Sequence, residues 1–151
     1  MSKGRLIYTL GTSDRTVEEF ADLLERYKIK RVVDVRRFPT SKFEHFKKDN
    51  LQKGLERAGC AYDHFGNELG GYRNGGYRRH METDAFCKAL EEVEELAARD
   101  RVAILCAERL PWRCHRRFIA SKLNERGWHV IHILDKDRTW DLREQLHLLG
   151  G

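Results

Sequence analysis

Val102-Ala103-Ile104-Leu105-Cys106 is an unbroken apolar run in a chain of 151 residues of which 35% are charged. Such a run is typical of a central parallel strand that is buried on both faces of its sheet. Outward from it, further β-prone runs lie at residues 6–10, 31–35 and 129–134, with a weaker one at 60–64. Amphipathic helical patterns separate these runs. The alternation predicts an α/β fold, a three-layer α/β/α sandwich with a mostly parallel, Rossmann-like sheet.

Capping residues and apolar periodicity predict where the helices begin. The expected starts are Thr16, Asn50, Thr83 or Asp84, a position near Cys114, and Thr139, which would cap a closing helix through Leu142, Leu146 and Leu149. Residues 65–81 contain many glycines and predict a long irregular segment. Because no linker interrupts this order, we expect residues 1–151 to form a single domain.

Composition limits the classes of partner and location. The net charge of +5 favours an anionic small molecule or nucleic acid as a partner, although a merely soluble basic surface has the same composition. No run of eighteen apolar residues and no signal-peptide core is present, so we expect a cytoplasmic protein without a membrane span. Four cysteines without a Cys-x-x-Cys pair are expected to be free thiols and not a zinc site. The cofactor, if any, stays unknown.

Polar residues follow three of the predicted strands. In open parallel sheets, ligands bind beyond the carboxyl ends of the strands. The residues at these positions are Thr12 and Ser13, Asp34 and Arg36, and Glu108 and Arg109. A carboxylate in an apolar strand is costly unless it is paired, so Asp34 is either a general base or ribose ligand, or the structural partner of Arg36 on the same face. Asp34 and Glu108 are also candidates for a carboxylate pair across neighbouring strands.

The segment from residue 106 to residue 117 joins the central strand to a helix. Free N–H groups at a helix start favour an anion, and Arg109 and Arg116 add positive charge. The same environment would stabilise the thiolate of Cys114, which is the candidate nucleophile, and His115 is a candidate general acid or anion ligand. The alternative for Cys114 is a thiol that simply packs.

Cys106 is expected to be a small buried residue at the end of its strand. The segment has some likeness to the Cys-x5-Arg loop of phosphatases. However, Trp112 stands where that loop requires arginine, which excludes a phosphatase assignment.

Residues 68–80 are glycine-rich, basic and aromatic. Tyr72 and Arg78 are candidates for stacking on bases and for gripping phosphates, and the glycines would allow the segment to act as a lid. A solvated loop is the alternative interpretation. Neither Gly-x-Gly-x-x-Gly nor a Walker lysine pattern occurs there.

Five short motifs occur in an order that resembles the domain-of-unknown-function 488 family. They are Gly11-Thr12-Ser13, Asp34-Val35-Arg36-Arg37-Phe38-Pro39, Leu69-Gly70-Gly71, Cys106-Ala107-Glu108 and Cys114-His115-Arg116. The likeness spans nearly the whole chain, and Thr12 departs from the Gly-His-Ser form of the family. The resemblance implies an α/β fold and names no reaction.

Together these patterns favour an enzyme that acts on a phosphorylated, nucleotide-like or nucleic-acid substrate. Arg36, Arg109 and Arg116 would bind the anion, Asp34 or Glu108 would transfer protons, and Cys114 would be the nucleophile. The alternative is a non-catalytic nucleic-acid or nucleotide-binding module in which the arginines bind and no residue reacts.

Overall fold

The computed structural model describes residues 5–38, 43–71 and 73–141. Within them a six-stranded sheet has the order β3-β2-β4-β1-β5-β6. The strands are β1 Leu6–Gly11, β2 Arg31–Asp34, β3 Ala61–His64, β4 Val102–Cys106, β5 His129–Asp135 and β6 Arg138–Trp140. The first five are parallel and β6 is antiparallel to β5. The predicted α/β fold with a mostly parallel sheet is therefore confirmed.

Helices cover both faces of this sheet. They are α1 Val17–Arg26, α2 Lys48–Arg57, α3 Gly66–Leu69, α4 Tyr77–His80, α5 Asp84–Arg99 and α6 Arg116–Glu125, with 3₁₀ helices at Glu44–Phe46 and Pro111–Arg113. Thr16 and Glu19 form the predicted capping box at the start of α1, and the Thr83 hydroxyl caps α5. No helix in the described ranges is long and apolar enough to cross a membrane.

The position of β4 explains its composition, because all five of its residues are buried. Ile104 and Cys106 face the core under α5 and α6, whereas Leu105 faces the core under α1 and α2. A strand between two helical layers has no solvent-facing side, so it contains apolar residues at every position. This burial confirms the interpretation of the central run.

One helix boundary and one predicted irregular segment differ from the sequence prediction. Asn50 is the third residue of α2 and not its cap, because a 3₁₀ helix leads directly into α2 at Lys48 and the Asn50 amide donates to the Glu44 carbonyl (2.9 Å). The stretch at residues 65–81 contains the short helices α3 and α4 and is thus less irregular than expected.

The chain end also differs from the prediction. Thr139 lies in edge strand β6 and caps no helix, because Asp135 accepts the Asp137 N–H (3.0 Å) and folds the chain back against β5. The remainder of the predicted closing helix, through Leu142, Leu146 and Leu149, lies outside the described residues.

Candidate functional site

The carboxyl end of β4 is the point where the connections of the sheet diverge. β4 lies between β2 and β1. Helices α1 and α2, which follow β1 and β2, pack on one face, whereas α6, which follows β4, packs on the other. Open α/β sheets bind ligands at such a divergence, so the residues around this end form the candidate site.

The end of β1 is joined to the segment after β4 by backbone contacts. The Thr12 N–H donates to the Cys106 carbonyl (2.8 Å) and the Ser13 N–H to the Ala107 carbonyl (2.8 Å). Gly11 lies so close that a Cβ there would overlap the Glu108 carbonyl oxygen. The structure therefore brings two of the predicted segments together, although the Thr12 side chain itself is buried.

Asp34 and Arg36 form a buried, bidentate ion pair. Arg36 donates from Nε to Asp34 Oδ1 (2.9 Å) and from Nη2 to Oδ2 (2.8 Å). The Tyr62 hydroxyl donates to the same carboxylate (2.6 Å), and Arg36 Nη1 donates to the Phe46 carbonyl (2.7 Å). The internal contacts of both side chains match the structural alternative, in which Asp34 holds an arginine in place.

Asp34 and Cys114 lie at the same edge of the sheet but on opposite faces. The partners of Asp34 belong to the core under α1 and α2, whereas Cys114 belongs to the core under α5 and α6. Glu108 is half-buried and its carboxylate accepts the Leu110 N–H (3.4 Å). Among the described residues, the expected carboxylate pair of Asp34 and Glu108 is not formed.

Cys106 and Cys114 form what we call the thiol pair. Their Sγ atoms are 2.9 Å apart, and both residues are buried. Cys114 has an extended backbone two residues before α6, which begins at Arg116 with His115 as its cap, so the helix starts slightly later than predicted. The Arg116 N–H points at Cys114 Sγ (3.5 Å), and Arg116 Nη1 donates to Cys106 Sγ (2.9 Å).

Arg116 is completely buried, and its guanidinium contacts the backbone of the segment after β4. Besides Cys106, it donates to the carbonyls of Glu108 (2.8 Å) and Arg109 (2.9 Å). Its Nε has no hydrogen-bond partner in the described part of the chain. None of the partners it does have there is a carboxylate, and Cys106 Sγ is the one among them that can ionise, so this sulfur is the candidate counter-charge for the buried guanidinium.

The two thiols therefore differ in their proton affinity. Burial opposes ionisation of Cys106, but the hydrogen bond from Cys114 and the charge of Arg116 prevail and lower its pKa from 9.0 to about 7. The hydrogen bond to Cys106 and burial raise the pKa of Cys114 well above its ordinary value. The guanidinium of Arg116 lies against Cys106 Sγ, so geometry and the direction of both pKa shifts favour Cys106 as the thiol of the pair that ionises first, and the sequence prediction of a nucleophile at Cys114 stays a prediction.

His115 is held between Cys114 and the end of β2. Its Nε2 lies 3.3 Å from the Val35 carbonyl, which can only accept, so Nε2 carries the proton. Its Nδ1 lies 3.6 Å from Cys114 Sγ. Burial lowers the pKa of His115 to about 4, so the ring is neutral at pH 7. In the described residues no group of three His, Cys, Asp or Glu side chains is arranged to hold a metal ion.

A polar cavity of about 360 Å³ lies on the α5 and α6 side of this edge. Its described lining residues are Arg37, Arg73, Asn74, Arg79, His80 and Thr83, and we call it the arginine cavity. Arg73 is held by the carbonyls of Gly70 (2.8 Å) and Asn67 (2.5 Å). Gly71 connects the cavity to the thiol pair, because its carbonyl accepts from Arg37 Nη1 (3.5 Å) and a Cβ added at this residue would lie 3.2 Å from His115 Nδ1.

Positive charge is concentrated around the arginine cavity. Burial and the nearby charge of Arg37 lower the pKa of Arg73. Burial, together with the charges of Arg73 and Arg37, also lowers the pKa of His80. The described lining contains three arginines and no acidic residue. This arrangement is chemically suited to an anion.

A comparison with known proteins identifies the family of this chain. Residues 16–123 match the family described as Domain of unknown function DUF488. The chain belongs to this family. Neither the curated proteins nor the solved structures give a match to it.

The DUF488 match covers the thiol pair, Arg116 and the whole arginine cavity, whereas Thr12 and Ser13 precede it. The predicted DUF488 resemblance is therefore confirmed, and it leaves the reaction open. The matched range places most of the candidate site inside the part of the chain that defines the family.

The arginine cavity uses different basic residues of the DUF488 chain from those that the sequence singled out. Arg78 is exposed, its guanidinium lies 5.3 Å from the Phe118 ring centroid, and it is not among the described lining residues of the cavity. Tyr72 lies outside the described residues. Alternation could have indicated Arg37, because neighbours after a strand face opposite sides and Arg36 shares the side of Asp34. Arg73 and Arg79 lie in the basic segment 68–80 that the sequence analysis predicts to grip phosphates, although Arg78 is the arginine named there as a ligand.

Proposed function

We propose that this protein binds a phosphorylated, nucleotide-like ligand through the arginine cavity. The observation that carries the proposal is the convergence of Arg37, Arg73 and Arg79 on one cavity without an acidic residue in its described lining. Guanidinium groups suit phosphate because their planar N–H groups can donate in pairs to two phosphate oxygens.

The size of the cavity favours a small ligand over a polymer. A volume of about 360 Å³ is at the lower end of the roughly 300–1,000 Å³ that ligand sites span. Such a volume accommodates a phosphate with an attached sugar or similar group. A nucleic acid would place one phosphate in the cavity and leave its neighbours on the surrounding surface.

Electrostatics supports the same ligand class. Placing several cations around one partly buried space is unfavourable, and the lowered pKa of Arg73 reflects first its burial and then repulsion by Arg37. A bound phosphate would offset this repulsion. The hydrogen bonds of Arg73 to the Gly70 and Asn67 carbonyls already hold its side chain in place. Ligand binding would therefore cost little side-chain entropy at this residue.

The buried groups at the strand ends favour binding without turnover. Asp34 and Cys114, two of the three catalytic candidates, are buried and engaged in internal contacts. Glu108 is half-buried and is the remaining candidate for proton transfer. If the protein is an enzyme that uses Glu108, the wild type would convert a nucleotide substrate and the Glu108→Gln variant would not. The two proteins would still bind phosphate with equal affinity.

Two neighbouring arginines provide the test. Arg79 lines the cavity, whereas Arg78 lies over Phe118. We expect Arg79→Ala to weaken binding of inorganic phosphate and of a nucleoside monophosphate by about tenfold or more, since a charge-assisted hydrogen bond contributes about 1.5–3 kcal/mol. Arg78→Ala, which removes the same charge, should change the Kd by less than about twofold. Isothermal titration calorimetry at low salt measures both.

Equal weakening by the two variants would assign binding to general surface charge and would support the sequence prediction for Arg78 over the cavity. Absence of any binding by the wild type at low salt would overturn the proposal.

A further inference from the structure

The thiol pair lies outside the arginine cavity and has no role in the proposed binding. Two sulfur atoms only 2.9 Å apart, with a buried guanidinium 2.9 Å from one of them, are an unusual arrangement for thiols that merely fill space. A packing role would be served by two small apolar side chains and would not require a buried charge.

We infer that the thiol pair is a site of reversible oxidation that takes a small hydroperoxide as its oxidant. The inference goes beyond the proposed binding function and does not depend on it.

Geometry assigns different roles to the two cysteines. Arg116 Nη1 donates to Cys106 Sγ, so Cys106 is the thiolate that attacks. Cys114 contacts Cys106 and lies beside the neutral His115, so it is the thiol that resolves the oxidised intermediate. A disulfide needs the sulfurs about 2.05 Å apart, which is closer than the 2.9 Å that separates them in the reduced pair.

The chemistry requires one peroxide molecule for each disulfide. The Cys106 thiolate attacks one peroxide oxygen, the O–O bond breaks, and hydroxide or alkoxide leaves, which gives a sulfenic acid at Cys106. The Cys114 sulfur then attacks that sulfenic sulfur and loses its proton, and water leaves as the disulfide forms. The two thiols are oxidised by two electrons and the peroxide is reduced by two. Two molecules of a small external thiol reverse the change: the first forms a mixed disulfide with one cysteine and frees the other, and the second displaces that cysteine and leaves as the disulfide of the two external thiols.

The remaining cysteines show what is special about the pair. Cys60 is also buried, but burial raises its pKa to about 11, which makes it an unreactive thiol. Cys106 is buried too, but its sulfur lies beside Cys114 and the Arg116 guanidinium, and it lies 3.7 Å from the carbonyl of the half-buried Glu108. Cys87 is exposed and provides a surface thiol for comparison.

Oxidation would also change the surroundings of Arg116. A disulfide carries no charge, so it would leave a fully buried guanidinium without its anion. The segment between β4 and α6 would then rearrange, because Arg116 holds it through the Glu108 and Arg109 carbonyls. We expect the oxidised protein to have a lower Tm than the reduced one.

The test is carried out on the full chain in a Cys87→Ala background, which removes the exposed thiol. Treatment with hydrogen peroxide near pH 7.5 should produce a Cys106–Cys114 disulfide, seen by peptide mapping as a linked pair that has lost two hydrogen atoms. Cys60 should stay reduced. Cys114→Ser should give no disulfide and a Cys106 adduct with dimedone, which traps sulfenic acids. Cys106→Ser should give at least about tenfold less adduct at Cys114, whose thiol is neutral.

Two results would overturn the inference. One is a folded wild-type protein in which the pair stays reduced under conditions that oxidise a free thiol in solution. The other is equal dimedone labelling of the two single variants. Because either variant can be destabilised by the lost contact, circular dichroism is recorded for each, and the wild-type peptide map decides the question if a variant is unfolded.

Discussion

A buried guanidinium, that of Arg116, governs the chemistry of the residues at the end of β4. Three arginines in the described part of the chain are nearly or fully buried, and each has a different kind of partner. Arg36 is paired with the Asp34 carboxylate, and Arg15 donates to the carbonyls of Gly11 (2.8 Å) and Leu134 (2.9 Å). Arg116 alone faces a thiol. A carboxyl group is ionised at neutral pH without such a partner, whereas a thiol ionises near pH 7 only when a neighbouring positive charge lowers its pKa. A thiol paired with arginine therefore responds to pH and to oxidants near neutrality.

The same pairing predicts a pH dependence of stability. The pKa of Cys106 falls from 9.0 in the unfolded chain to about 7 when folded, so its contribution is present above pH 9 and is lost as the pH falls through 7. Cys114 acts in the opposite sense above pH 9, because its raised pKa makes the unfolded state the better ionised one. We expect the free energy of unfolding to rise by on the order of 1–2 kcal/mol between pH 7 and 9 and to fall beyond.

Urea unfolding across this pH range measures the effect. The double variant Cys106→Ser/Cys114→Ser is the control, because serine does not titrate there. A parallel pH profile for wild type and double variant would contradict the assignment of the thiolate to Cys106.

Single residues also show what a sequence can reveal about a site. The sequence allows the Asp34–Arg36 ion pair to be predicted as the alternative to a catalytic or ribose-binding Asp34, because residues two apart in a strand share a face. The thiol pair was not, because the 3₁₀ helix Pro111–Arg113 that turns Cys114 back onto Cys106 leaves no periodic signal. Both cysteines were visible in the sequence, but the distance between their sulfur atoms was not.

Among the secondary-structure elements, β1 and the segment after β4 are joined by backbone alone. Thr12 and Ser13 donate to carbonyls at the end of β4, and Gly11 makes that approach possible. This contact holds the carboxyl ends of two central strands together. It also fixes the segment after β4, to whose Glu108 carbonyl Arg116 donates a hydrogen bond.

Gly11→Ala tests this contact, and Gly54→Ala is its control. A methyl group at residue 11 would overlap the Glu108 carbonyl and approach Arg109 Cα within 2.9 Å, so the backbone must move. We expect a loss of about 1–3 kcal/mol of stability in urea unfolding. At Gly54, in α2, the methyl group meets no atom within 4 Å, and alanine should stabilise the helix by about 0.5–1 kcal/mol. Equal effects at the two positions would rule out the close approach.

The elements differ in how well the sequence indicates them. β4 is predicted correctly because burial on both faces requires an unbroken apolar run. β6 is missed because an edge strand of three residues, half-exposed or exposed throughout, has neither alternation nor an apolar run. Its pairing depends on the turn at Asp135, which only the folded chain reveals.

Across the whole molecule, the net charge of +5 understates how unevenly charge is placed. Many basic residues are in ion pairs, such as Arg31 with Asp63 and Asp100, or Arg126 with Glu94. The arginine cavity differs because its described lining has no acidic member. The composition therefore predicts an anionic partner without indicating where it would bind, because the cavity that we propose for it forms only when residues 37 and 73–83 come together in the fold.

Salt dependence distinguishes a one-phosphate cavity from an extended nucleic-acid surface. For single-stranded nucleic acid the log of the binding constant falls with the log of salt concentration, with a slope of about −0.7 for each phosphate neutralised. Because the arginine cavity has room for one phosphate group, we expect a short single-stranded oligonucleotide to bind with a slope near that value. Arg79→Ala should remove most of the slope, and Arg78→Ala should leave it unchanged. Fluorescence anisotropy over a salt series measures it. A slope several times steeper, reduced equally by both variants, would mean that the backbone of a polymer runs across the surface around residues 73–80 and that the cavity is only one part of a nucleic-acid interface.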